Sequence, residues 1–110
     1  MNREDKILEL LSEGRLIRGG WTGVDKYGRE TACLLAALSP DAGRARAASA
    51  CPADIMPGWL AHLTPWIDDR GSEEAWPETI RRYAKLAGRW DVLTREQWLR
   101  LDYRVRVIVL

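Results

Sequence analysis

Phenylalanine is missing from this 110-residue chain, histidine occurs once and cysteine twice. Two cysteines, Cys33 and Cys51, are too few for the disulfide framework on which small secreted domains depend. No stretch approaches the roughly 20 apolar residues that a transmembrane helix needs. Residues Met1–Asp5 also lack the apolar run of a signal peptide. These absences predict a cytoplasmic protein, no membrane association and two reduced thiols. A surplus of either charge is missing as well. Seventeen basic residues stand against sixteen acidic ones, giving a net charge of +1, so no global field draws DNA or a membrane surface.

What is present fits one globular domain spanning residues 1–110. Apolar residues make up 46% and charged residues 30%, an ordinary balance for a chain that buries a core. The aromatic content is skewed to six Trp and three Tyr. Such side chains carry a polar handle on a large apolar body, which suits half-buried positions and interfaces as well as cores.

The pattern along the chain predicts a mainly α, α+β fold: a compact helical domain with one small β-hairpin near residues 16–32. Asn2 caps a first helix whose apolar stripe is Ile7, Leu8 and Leu11, and Gly14 ends it. Asp25-Lys26-Tyr27-Gly28 reads as the turn of a hairpin with strands at 16–25 and 29–32. Thr31–Leu38 is apolar all round, so a short buried helix is expected there, ending before Pro40. The alanine-rich 41–50 segment is either a weak helix or a connection. A further helix is expected from Pro57 to Asp69, with Trp59, Leu63, Trp66 and Ile67 on its core face and a kink or break at Pro65. Ser72, Glu73 and Glu74 open the next helix, which runs to Trp90 with an apolar face of Ile80, Tyr83, Ala84 and Ala87. Thr94 and Gln97 form a capping-box pattern ahead of a last helix bearing Trp98, Leu101, Val105 and Ile108. Residues 103–110 also alternate as a strand would, but the cap and the spacing favour helix to about Arg106.

Three sets of residues invite a chemical reading. Cys33, at a predicted helix start, could pair with His62 as base and Asp68 or Asp69 as orienting acid, the outline of a small Cys/His-dependent hydrolase. Its apolar setting in Thr31–Leu38 argues instead for a buried structural cysteine. Cys33, Cys51, His62 and Asp54 can be drawn as a zinc site, yet no ligands fall at the C-x₂₋₄-C spacing of structural zinc. No catalytic residue, metal ligand or cofactor is therefore assigned. The third set is basic: Arg81, Lys85 and Arg89 recur every four residues, flanked by Arg82 and followed by Arg95, Arg100, Arg104 and Arg106. This stripe could meet phosphate, as in a protein that binds nucleic acid, or an acidic partner. Acids that open the helix and bases that close it also complement its dipole, and the near-zero net charge counts against nucleic acid.

Cys51–Asp69 (CPADIMPGWLAHLTPWIDD) packs three prolines, two tryptophans, the histidine and a cysteine into nineteen residues. Together with Trp21-Thr22-Gly23, Thr31–Leu38 and the Trp90 to Trp98 tail, it resembles a group of small proteins encoded by phages, prophages and other mobile elements of proteobacteria. The resemblance covers most of residues 15–110 and carries over no catalytic residue. It implies either an accessory protein of the phage or an inhibitor that occludes a host defence complex, as anti-CRISPR proteins do with CRISPR effector complexes. The expected function is accordingly a non-enzymatic protein–protein interaction module with a protein partner. Interfaces draw most of their energy from a few Trp, Tyr and Arg side chains. Trp76, set among charged residues and least explained by a core, is expected to form the partner-binding patch with Arg81, Arg82 and Lys85.

Overall fold

The computed structural model describes residues 2–69 and 71–109, with side chains described as far as Tyr103. Among these residues the architecture is mainly helical with one two-stranded antiparallel hairpin. In chain order the elements are α1 (Arg3–Ser12), β1 (Thr22–Val24), β2 (Glu30–Ala32), α2 (Leu34–Leu38) and α3 (Pro40–Ala45). A 3₁₀ turn (Ala48–Ala50), α4 (Gly58–Asp69), α5 (Trp76–Ala87), a second 3₁₀ turn (Trp90–Val92) and α6 (Arg95–Val109) complete it.

The short helix α2 lies at the centre, with every residue from Leu34 to Leu38 buried. An element this short closes few hydrogen bonds of its own, so packing rather than propensity holds it. Around it Ile7 of α1, Met56, Leu60 and Ala61 of α4 and its approach, and Ile80 and Ala84 of α5 complete the core. Side-chain caps set several helix starts. Asn2 accepts the Asp5 N–H at 2.8 Å, Ser39 accepts that of Ala42 at 3.2 Å, and the Cys33 sulfur accepts that of Ala36 at 3.5 Å. At α6 the capping box forms both ways: Gln97 Oε1 accepts from Thr94 N at 2.8 Å and Thr94 Oγ1 from Gln97 N at 3.1 Å.

Several expected boundaries move. The first strand covers only Thr22–Val24, paired with Glu30–Ala32, while Leu16 makes an isolated parallel bridge to Ala32. Gly19, at φ +75°, turns the chain away before β1. Arg18 and Gly19 spend their hydrogen bonds on the end of α4 instead of a ladder: Arg18 Nε donates to the Asp68 carbonyl at 2.9 Å and Gly19 N to Asp69 Oδ1 at 3.0 Å. The buried helix starts at Leu34 rather than Thr31, because Thr31 and Ala32 belong to β2 and Cys33 is the cap. The 41–50 segment contains α3 and a 3₁₀ turn.

Pro65 does not break α4, which runs continuously from Gly58 to Asp69. Buried Leu60, Ala61 and Thr64 anchor the turn before it, and tertiary packing outweighs the missing N–H. Of the expected core face of α4, Trp59 and Ile67 pack against the core, but its fully buried part lies elsewhere. Leu60, Ala61, Thr64 and Asp68 are buried, whereas Trp66 is 44% exposed. Helix α5 keeps its expected face of Ile80, Tyr83, Ala84 and Ala87 but ends at Ala87, and the Trp90 turn follows. Helix α6 continues to Val109, so the helical alternative holds for 103–109. The side chains of Arg104, Val105, Arg106 and Ile108 lie outside those described.

Candidate functional site

Four aromatic rings connect α4, α5 and α6 in a chain. Tyr83 meets Trp90 edge-on at 5.8 Å between centroids, Trp90 meets Trp98 at 6.0 Å, and Trp98 meets Trp59 edge-on at 6.4 Å. Arg3 lies over the Trp90 ring at 5.5 Å and its guanidinium pairs with Asp91 at 2.8 Å, which fixes the 3₁₀ turn against α1. Because α6 reaches the body through Trp98, these ring contacts set how far it stands from α4.

The result is a groove of about 350 Å³. Trp59, Leu63 and Ile67 of α4 form one wall, and Trp98 and Leu101 of α6 the other. Buried Tyr83 and Trp90 form its floor, and Leu86, 56% exposed, lies on the α5 edge. Among the described residues Arg89 is the only charged one in the lining, and no carboxylate among them faces the groove. The space has the size and apolar character of a binding cleft with few placed polar groups.

Tyr83 is held in the floor by a hydrogen bond of 2.6 Å between its hydroxyl and Thr64 Oγ1. Thr64 Oγ1 lies 2.7 Å from the Leu60 carbonyl, which can only accept, so Thr64 donates there and Tyr83 donates to Thr64. Burial pushes the Tyr83 phenol far above its usual range.

The expected patch residues occupy different surroundings. Arg81, Arg82 and Lys85 stand exposed on the outer face of α5. Glu78 takes both Arg82, at 3.3 Å, and Arg81, at 3.7 Å. Trp76 is half-buried against the core, and its indole N–H donates to Asp68 at 2.7 Å. The reading of Trp76 as the tryptophan least explained by a core is thereby corrected, since a buried carboxylate already engages its polar atom. The more open tryptophan is Trp66, on the α4 side beside the groove wall.

The residues of the hydrolase outline are not joined. Cys33 is buried as the cap of α2; burial pushes its thiol up, and the nearby Asp68 charge pushes it further, while the Ala36 N–H works against both. Cys33 is thus the buried cysteine that its apolar setting predicts, since desolvation outweighs the one N–H that a helix start offers a thiolate. His62 is exposed and its Nδ1 lies 2.9 Å from the Gly58 carbonyl. Asp68 bonds to Leu34 N and Trp76, and Asp69 to Gly19 N. Cys51 is half-buried with its sulfur 3.8 Å from the Pro52 carbonyl. Among the described residues no hydrogen bond links either thiol to His62, and no group of three or more His, Cys, Asp or Glu could hold a metal ion. Nor is any helix among them long and apolar enough to cross a membrane.

The groove itself was missed by sequence reasoning. Its signal was the Trp59, Leu63, Ile67 spacing, which marks a shared helical face but does not say whether that face meets the core or an opening. No family model, curated protein or solved structure matches the chain.

Proposed function

We propose that this chain is a non-enzymatic protein–protein interaction module whose docking site is the aromatic groove between α4, α5 and α6. The observation that carries the reading is the groove of about 350 Å³, open along Leu86 and lined by Trp59, Leu63 and Trp98, with no carboxylate, thiol or imidazole among the described lining residues. Rigid aromatic side chains that present large apolar area are the usual anchors of an interface. Arg89 in the lining, with Lys85 next to Leu86 on the exposed face of α5, supplies a polar rim. In its narrowest form the module is an inhibitor of mobile-element origin that occludes a protein surface of a CRISPR effector complex. The near-zero net charge supports surface occlusion over mimicry of DNA.

The test is capture of a purified effector complex by the tagged chain, with Leu86→Asp in parallel. Leu86 is exposed, so the variant should keep the fold while placing a charge in the groove. Capture by the parent chain and loss with the variant is the expected result. Equal capture by both removes the groove from the reading, and no capture by either removes the effector complex as the partner.

A further inference from the structure

We infer that the groove's occupant is an acidic amphipathic helix of the partner protein, an inference that rests on the interaction reading above. The first argument is length. From Trp59 to Ile67 the α4 wall runs over eight residue steps, roughly 12 Å at 1.5 Å per step. An apolar row at i, i+3, i+4 and i+7 of a docking helix covers roughly 10.5 Å on the same rise, so two helical turns fill the wall.

The second argument is charge. Arg82 and Lys85 on α5 and Arg89 just past its end follow one another at i, i+3 and i+7, beside Leu86. Arg82 is neutralised by Glu78, but among the described residues no ion pair engages Lys85 or Arg89. Arg89 lines the groove, and no acid among the described lining residues offsets it there. A helix that seats its apolar row on Trp59, Leu63 and Trp98 and carries Glu or Asp on the flank toward α5 meets both cations in register. A helix with a basic flank would set like charges against them, a mismatch that disfavours the wrong partner. Because the whole chain carries only +1, such a preference has to arise locally at this rim.

The probes are two Trp-free peptides of about 16 residues, cross-linked into helices so that folding costs are removed. Both carry the same Leu/Phe row and a fluorophore; one has Glu on its polar face and its twin has Lys. Anisotropy titrations of the full chain at low salt should show the Glu peptide binding at least ~10-fold more tightly, and the difference should shrink as salt screens it. The double variant Lys85→Glu/Arg89→Glu, both exposed positions, should reverse the preference, and Leu86→Asp should weaken the Glu peptide at least ~10-fold. Circular dichroism of each variant checks the fold. Equal binding of the twins overturns the acidic partner and leaves groove docking standing. Binding of the Glu peptide that ignores Leu86→Asp overturns the groove as its seat. Binding of neither twin overturns the helical occupant, while loss of effector capture with Leu86→Asp would still uphold the interaction module. A dimer in sedimentation that Leu86→Asp dissolves would make a second copy of this chain the occupant and overturn the inference.

Discussion

The Trp76 indole N–H donates to the Asp68 carboxylate at 2.7 Å across the turn between α4 and α5. The other carboxylate oxygen of Asp68 accepts the Leu34 N–H at 3.1 Å, and its backbone carbonyl accepts from Arg18. One buried acid therefore ties together the end of α4, the starts of α2 and α5, and the segment before the hairpin. Phenylalanine in place of Trp76 keeps a ring but removes the donor. Hydrogen bonds to charged groups contribute about 1.5–3 kcal/mol, so Trp76→Phe should lower the unfolding free energy by an amount in that range. Asp68→Ala should cost more, because it leaves two N–H groups without an acceptor. Urea denaturation measures both, and a Trp76→Phe change below about 0.5 kcal/mol, the spread of ordinary surface substitutions, would show that the bond is not structural.

Two aspartates should respond to pH in opposite senses. Burial pushes the Asp68 carboxyl above the ordinary value of 3.8, and the bonds from Trp76 and Leu34 offset only part of that. The native state thus holds this proton at a higher pH than the unfolded chain does. Its stabilising contribution is fully present below 3.8 and is lost as pH rises through the folded value. At Asp25 partial burial also pushes upward, but hydrogen bonds from Arg29 and Tyr27 win and hold the carboxyl below 3.8. That contribution is present above 3.8 and is lost as pH falls through the folded value. Carboxyl carbon shifts followed by NMR should show Asp68 taking up its proton at a higher pH than Asp25. The reverse order would refute the account.

Thiol labelling separates the structural reading of Cys33 from the hydrolase alternative. Cys33 is buried as a helix cap with its thiol pushed up, whereas Cys51 is half-buried in a loop. Iodoacetamide at neutral pH should modify Cys51 first, and Cys33 only at the rate at which the domain opens. Mass spectrometry of the labelled peptides gives the order. Rapid modification of Cys33 in the folded chain would revive the nucleophile.

Local signals were legible where chemistry acts within one turn. Asn2, the Thr94–Gln97 box and the Ile80, Tyr83, Ala84, Ala87 face all form as their spacing dictates. Legibility failed where the decisive partner is distant in the chain. Trp76 looked open because its sequence neighbours are charged, yet the fold brings its indole to Asp68. Trp59, Leu63 and Ile67 have the period of a core face, but what covers a face depends on where α6 stands, and the ring contacts of Trp98 decide that. Periodicity gives a direction around a helix; it does not give the neighbour.

Two glycines separate close packing from a removable contact. A Cβ on Gly43 would lie 2.9 Å from the Ala36 Cβ, where α3 crosses buried α2. Neither partner can turn aside, so Gly43→Ala should cost about 1–3 kcal/mol through overpacking. A Cβ on Gly88 would meet Glu4, nearest at the carboxylate oxygen at 2.8 Å. The carboxylate can swing away and the Glu4 Cβ, at 3.1 Å, needs to give by only a few tenths of an ångström, while alanine at this helix end recovers up to about 1 kcal/mol of propensity. Gly88→Ala should therefore shift stability little or raise it. Thermal melts of the pair would contradict this if Gly88→Ala proved as damaging as Gly43→Ala.

The Thr64–Tyr83 hydrogen bond under the groove can be isolated by a double-mutant cycle. Thr64→Val removes the acceptor of the Tyr83 hydroxyl while nearly keeping the shape, and the hydroxyl then has no partner in a buried place. An unsatisfied buried group costs about 1–3 kcal/mol, so the single variant should lose stability by that much. Tyr83→Phe alone should lose less, because Thr64 still donates to the Leu60 carbonyl. In the Thr64→Val background the same Tyr83→Phe change should become neutral or stabilising, since it removes the orphaned hydroxyl. Chemical denaturation of the four proteins yields the coupling. Additive losses would mean that the two side chains share a cavity wall but no bond, and the floor of the groove would then rest on packing alone.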